Sequence, residues 1–379
     1  MLNVLFLFTN HSYLYLNSFK SLSDYFKKNG HRTVVLCGDQ ETKELEIKKI
    51  LLFFDKVRVL EEKKIHKTKN FFGRNIQYYK FLKSIAQQIE SIIDNENIDI
   101  VITSNSYHYF VNVITHRKPE IPIYFIQCSA IISHLPKLTI RQVYENFIFK
   151  VLGGINLNRT YNRPPFGNKI LNYIMWSPLW ADNVSSSDFK IYYAAKISSD
   201  NKNINEYRKE RLIKNILIIL NKKQNIGLNN WLVYSEFYKD FFIKNKKFNP
   251  TFKVHPVDDL VYCENYFDKF NVTNEEIKFS DYDLVITHWS TLLYEAMINN
   301  IPTILINPNN EFDFEKFRLK DFPFFAHNHS ELNHIIDSFD KNIIDFEKIN
   351  NNNKLVYIGN NIEKSVDQIY EIITKNLDL

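Results

Sequence analysis

The chain has 379 residues, 45% hydrophobic and 24% charged, a composition that buries a core and excludes a disordered or low-complexity protein. Its net charge of +5 admits anionic ligands without marking a nucleic-acid binder, and three dispersed cysteines, Cys37, Cys128 and Cys263, argue against a zinc ribbon or disulfide framework. Only 8 glycines stand against 31 Phe, 22 Tyr and 4 Trp. Neither G-x-G-x-x-G nor G-x-x-x-x-G-K-[ST] can be drawn through them, which argues against a glycine cradle for phosphate.

The first run, MLNVLFLF, is shorter than a membrane span, lacks the basic leader of a signal peptide and reads as a buried strand over 4–8. Apolar runs at 33–37, 56–60, 98–103 and 121–127 follow, separated by helical stretches at 14–29, 76–95 and 107–115. That alternation is the rhythm of parallel α/β units, and Asn29-Gly30 supplies a helix stop before the second strand. The rhythm predicts a Rossmann-like domain ending near residue 130. From 133 to 199 it breaks at Gly153-Gly154, Arg163-Pro164-Pro165 and Trp176-Ser177-Pro178, which predicts an irregular excursion over a cleft, followed by a linker.

A second series begins with strands at 216–220 and 251–254 around a helix at 231–245, continues with strands at 284–287 and 303–306, and closes on a helical pattern over 356–376. The predicted class is α/β: two Rossmann-like domains facing each other across a cleft, spanning 1–200 and 210–355, with a C-terminal helix over 356–379 able to cross back. Ligands of such sheets sit beyond the carboxyl ends of the strands, so chemistry is sought there.

Two segments answer. In Phe252-Lys253-Val254-His255-Pro256 a strand ends on a cation and an imidazole, and Pro256 stops it. In Asp283-Leu284-Val285-Ile286-Thr287-His288-Trp289-Ser290-Thr291 a buried strand runs into a helix starting at Ser290-Thr291, followed by Glu295-Ala296. Free N–H groups and hydroxyls at a helix start can hold phosphate without glycine. Taken alone, His255 equally suits a satisfied strand-end histidine and Ser290-Thr291 a plain cap; the spacing of the two segments places them at adjacent strand ends of one sheet.

Over 216–307 this pairing resembles the carboxy-terminal domain of GT-B glycosyltransferases, in particular bacterial sialyltransferases, polysialyltransferases and Kdo transferases with an HP motif and a downstream Ser/Ser or Ser/Thr motif. The resemblance implies that the first domain takes the acceptor and the second the nucleotide sugar. His255 and Pro256 would form the phosphate motif, with His255 stabilising or protonating the leaving phosphate. Lys253 would add positive charge, Thr287, Ser290 and Thr291 would line the phosphate site, and Glu295 would face the ribose. The paired motifs are most typical of a CMP-linked nonulosonic or related acidic sugar, transferred to a bacterial surface glycan. No metal or other cofactor is expected, since Asp281-Tyr282-Asp283 spells D-x-D at the amino end of its strand.

Sialyltransferase-like members also carry an acidic-acidic-Gly triplet that supplies the general base, and this chain has none. A base is therefore sought at the strand ends of the first domain: His11 first, because imidazole titrates near neutrality, Asp39 second, with His108 also at a strand end. The basic and aromatic stretch from Lys63 to Arg74 reads as a solvated loop rather than a nucleic-acid site. Arg141, Lys150, Arg159 and Arg163 in the excursion fit a plain packed segment or, as the alternative, a seat for an anionic or lipid-linked oligosaccharide acceptor near the inner membrane. His327-Asn328-His329 reads as a loop leading into a helix. The expectation is a cytoplasmic glycosyltransferase, able to touch the membrane peripherally. Its rivals are a UDP-sugar transferase or UDP-HexNAc 2-epimerase-like enzyme, and an inactive glycan- or nucleotide-binding protein.

Overall fold

The computed structural model describes residues 1–8, 16–38, 52–61, 71–104, 109–128, 171–181, 190–197, 212–223, 227–255, 258–308, 310, 319, 321–341 and 343–377. They form two compact units, Met1–Ser199 with Asn361–Leu379, and Asp200–Asn360. His11, Asp39, His108 and Pro256 lie outside the described residues, as does the excursion from 129 to 170.

The first unit is a seven-stranded sheet in the order β3-β2-β1-β4-β5-β6-β7. Its strands are β1 (Asn3–Phe8), β2 (Arg32–Gly38), β3 (Lys56–Leu60), β4 (Ile100–Thr103), β5 (Ile123–Ile126), β6 (Leu171–Met175) and β7 (Lys190–Tyr193). Every pairing is parallel. β1 is apolar almost throughout because both faces are covered, and its side chains alternate between two cores. Leu5 and Leu7 join Val34, Leu36 and Val101 beneath α2 (Phe71–Glu96) and α3 (Tyr109–Arg117). Val4, Phe6 and Phe8 join Val35, Ile100 and Ile102 on the other face. There α1 (Leu16–Lys28) contributes Phe19, Leu22 and Phe26, one stripe at helical spacing.

The chain's last helix, α10 (Ser365–Lys375), packs Val366, Ile369 and Ile373 into that second core. Its Tyr370 hydroxyl lies 2.9 Å from Nε2 of His31, whose Nδ1 accepts from the Leu2 N–H at 2.9 Å. An accepting Nδ1 makes Nε2 the protonated nitrogen, so this histidine is neutral when bonded in this way.

Three expectations are corrected by these elements. The domain does not end near residue 130: β6 and β7 extend the same sheet beyond β5. The segment predicted as irregular also contains the short helix α4 (Pro178–Ala181), so Trp176-Ser177-Pro178 marks a β6-to-helix turn inside the domain. The expected helix over 356–376 is shorter as well. A π-turn over Lys354–Ile358 ends at Gly359, whose φ of 98° breaks the helix, and α10 starts only at Ser365.

At the amino edge of the sheet Glu96, 2% exposed, pairs with Arg32, Lys56 and Arg58. Burial alone would push its carboxyl up, but hydrogen bonds from the three cations outweigh that and bring it down to about 2. Glu96→Ala is expected to lower stability at pH 7 by about 2 kcal/mol, less than a fully buried pair because the cations are part-exposed. The carboxylate's contribution is complete above its ordinary pKa and fades as pH falls toward 2. Urea denaturation of wild type and variant at pH 7 and pH 3 checks both statements; equal stability at pH 7 contradicts them.

The second unit holds a six-stranded sheet in the order β10-β9-β8-β11-β12-β13. Its strands are β8 (Asn215–Ile219), β9 (Asn249–Lys253), β10 (Asn271–Thr273), β11 (Leu284–Thr287), β12 (Thr303–Ile306) and β13 (Phe325–Ala326). All pairings are again parallel. The helices are α5 (Leu228–Lys244), α6 (Leu260–Tyr266), α7 (Leu292–Ile298), α8 (His329–Asp340) and α9 (Phe346–Asn353). Asp283 accepts from the Lys214 and Asn215 N–H groups at 3.1 and 2.9 Å, clasping the starts of β8 and β11. That explains the D-x-D sequence as a strand flank.

Candidate functional site at the carboxyl edge of the second sheet

In this strand order the winding direction reverses between β8 and β11, and a crevice opens at such a switch point beyond the carboxyl ends. The expectation that His255 and Ser290 sit on adjacent strands is corrected by the topology. β8 lies between β9 and β11, because the first strand of a doubly wound sheet is central. The residues still share one edge, with the end of β8 between them.

Each strand delivers polar groups to this edge. After β8 comes Asn221, 7% exposed. After β9 comes half-buried His255. β11 leads to His288, Trp289 and Ser290, β12 to buried Asn307, and β13 to His327.

Among the predicted residues, Ser290 accepts from the Leu292 N–H at 3.3 Å, and Thr291 precedes α7 in helical conformation without a side-chain cap. Thr287 is fully buried and its hydroxyl donates to the Ile219 carbonyl at 3.0 Å, so it ties β11 to β8 below the edge. Lys253, 7% exposed, donates from its ammonium to the Asn274 carbonyl at 2.7 Å and leans toward β10. Burial lowers its pKa. Glu295 is half-buried in the first turn of α7.

Sequence reasoning passed over two features. The first is a stacked system: the His288 ring lies 4.2 Å from that of Tyr234, whose hydroxyl lies 3.3 Å from Oδ1 of Asn307. The Asn307 carbonyl in turn meets Nδ1 of His327 at 3.1 Å. Burial pushes His288 down to about 3, so near neutrality its imidazole is uncharged. The second is Asn221, whose side-chain N–H₂ is buried and makes no hydrogen bond among the described residues. A buried donor left unmet is costly and rare, and at a switch point it suits a ligand's oxygen. Extending the strand-end rule from β9 and β11 to β8 would have found it.

Beside Asn221, the ammonium of Lys223 sits 4.4 Å from the ring centre of Trp231 and 3.3 Å from that of Tyr262. This cation–π seat fixes a positive charge near the edge. The His327 segment forms the expected lead into a helix: Asn328 accepts from the Glu331 N–H and donates to the Glu331 carboxylate, a capping arrangement for α8.

No family model and no curated protein matches the chain by sequence. Solved structures match it over their whole length. A UDP-N-acetylglucosamine 2-epimerase assigned as putative, from Listeria monocytogenes, has a TM-score of 0.60 at 10% identity, covering 100% of this chain and 97% of its own. S. aureus MnaA, a co-structure with UDP, gives 0.61 at 12%, with coverages of 100% and 98%. A glycosyltransferase from Rickettsia africae gives 0.59 at 12%, with coverages of 99% and 98%. These likenesses establish the fold: the chain has the GT-B fold, shared by glycosyltransferases and sugar-nucleotide epimerases.

Proposed function

We propose that the chain is a nucleotide-sugar enzyme that breaks the bond between a sugar's anomeric carbon and the diphosphate of UDP, and passes the sugar to a glycan or lipid-linked oligosaccharide acceptor. The observation that carries this reading is the unmet Asn221 amide at the switch point, flanked by His255 and Ser290 at the neighbouring strand ends. As the bond breaks, negative charge grows on the departing phosphate, so donors already in place lower the barrier. His255 supplies a hydrogen bond or proton to that phosphate, and the Asn221 amide, Ser290 and Thr291 supply further donors. Lys253 and Lys223 add positive background, and Glu295 takes the ribose hydroxyls. The base that activates the acceptor is His11, with Asp39 as second choice.

UDP replaces the CMP-linked donor as the preferred class because similar structures include complexes with UDP and with UDP-GlcNAc. A 2-epimerase is the second reading, favoured by the similarity to UDP-GlcNAc 2-epimerases. No described helix is long and apolar enough to cross a membrane. Contact of the enzyme with the inner membrane is peripheral in this reading.

UDP at saturating concentration is expected to raise the thermal midpoint by several degrees, consistent with about 2.7 kcal/mol at one hundred times Kd, while CMP leaves it unmoved. Protection by CMP instead of UDP returns the donor to the acidic-sugar class, and protection by neither removes the site. Incubation with UDP-GlcNAc alone separates the two activities. An epimerase inverts the sugar or releases UDP without an acceptor, whereas a transferase waits for one.

A further inference from the structure

A second polar surface lies in the first unit, in a groove between α2 and the edge strand β3. The groove has a volume of about 470 Å³ and is lined by polar Arg58, Ser84, Gln87, Gln88, Ser91 and Asn95, by apolar Val59 and Ile92, and at one end by Glu96, whose carboxylate Arg58 already holds. Serine 84, the two glutamines, serine 91 and Asn95 recur along one flank of α2 at helical spacing, a stripe of about 16 Å at 1.5 Å per residue. The other flank differs chemically. Its acids are paired with α3 and the residue after it, Glu90 with Arg117 at 3.9 Å and Asp94 with Lys118 at 2.6 Å. In a chain with 24% charged residues, one exposed flank of the helix is therefore kept neutral and rich in hydroxyls and amides.

The groove is also structurally fixed. Gln88 accepts from the Glu61 N–H at 2.9 Å and donates to the Glu61 carbonyl at 3.2 Å, closing the strand edge just past β3. Asn95 donates to the Ser91 hydroxyl at 3.0 Å. At the Asn95 end, Arg58 stands with Arg32 and Lys56 around a single carboxylate, that of Glu96, which leaves positive charge in excess.

We propose that this groove binds an acidic oligosaccharide. Amides and hydroxyls exchange hydrogen bonds with sugar hydroxyls at no cost in charge, Val59 and Ile92 offer apolar surface to the C–H faces of the rings, and Arg58 receives a carboxylate. Among the described residues the lining has no aromatic ring on which a nucleic-acid base would stack. The groove is built from residues of the first unit alone, so a glycan bound there is held by groups other than those of the nucleotide edge.

Isothermal titration of the full chain with tetragalacturonate, its methyl ester and a penta-glutamate peptide tests this. Tetragalacturonate is expected to bind. Replacing Gln87, Ser91 and Asn95 together by alanine, all exposed positions, should weaken it and the ester alike. Arg58→Gln should weaken tetragalacturonate by about tenfold or more, with little effect on the ester, since it removes a charge-assisted bond. Absence of binding by tetragalacturonate, unchanged binding to the triple variant, or preference for the peptide overturns the proposal. UDP protection, measured on the same proteins, reports on the second unit separately, so either reading can fail without the other.

Discussion

His255→Ala is expected to reduce turnover of the UDP-sugar by about 100- to 1000-fold, the usual cost of removing one preorganised donor from a site of developing charge. The imidazole follows the carboxyl end of β9, next to β8 and the Asn221 just beyond it, on the edge where the switch point opens. A donor that meets the phosphate only as the bond breaks affects kcat more than KM. UDP protection should therefore fall less than turnover in the variant, while its thermal midpoint without nucleotide stays close to wild type because His255 is half-buried. His255→Asn, which keeps a donor but not a proton, should recover part of the loss. Near wild-type turnover in His255→Ala sinks the phosphate role.

The strand-end position of His255 was legible because Pro256 stops the strand that carries Lys253, and the rest of the fold was legible where burial was two-sided. β1 reads as a strand since its face toward α1 and its face toward α2 both demand apolar residues. β6 and β7 were not legible. β6 carries Asn172 in LNYIM, and β7, KIYY, is a sheet edge with Lys190 exposed and Tyr193 48% exposed, so neither shows a continuous apolar run. β13 has two residues and leaves no periodicity at all. At the site, residue type misled. Thr287 looks available in the sequence, yet its hydroxyl belongs to the sheet. Asn221 looks like a loop residue and is buried with an unmet amide, a property that depends on the packing of β8 against β9 and β11. Strand order also decides what adjacent means: 35 or so residues of α/β chain bring His255 and Ser290 to one edge, but only the winding reveals that β8 separates them.

The stacked His288 predicts an acid-labile second unit. Its folded pKa is pushed down to about 3 by burial, below the value of about 6.5 for a histidine in an unfolded chain. Between those values the unfolded chain binds the proton and the folded one does not, so stability falls as pH drops through that window, by about 1.4 kcal/mol per unit. From pH 7.5 to pH 4.5 the expected loss from this residue is about 2.7 kcal/mol. The carboxylate of Glu96 titrates lower and adds little in that interval. His31 adds in the same direction, because burial and then the nearby amino terminus also lower its pKa, but it belongs to the first unit. Urea denaturation of wild type, His288→Phe and His31→Asn at pH 7.5 and 4.5 separates the two. The Phe variant keeps a ring against Tyr234 and should lose most of the pH-dependent term, whereas His31→Asn should keep it. A wild-type chain equally stable at both pH values, or a Phe variant with an unchanged pH slope, contradicts a neutral buried His288.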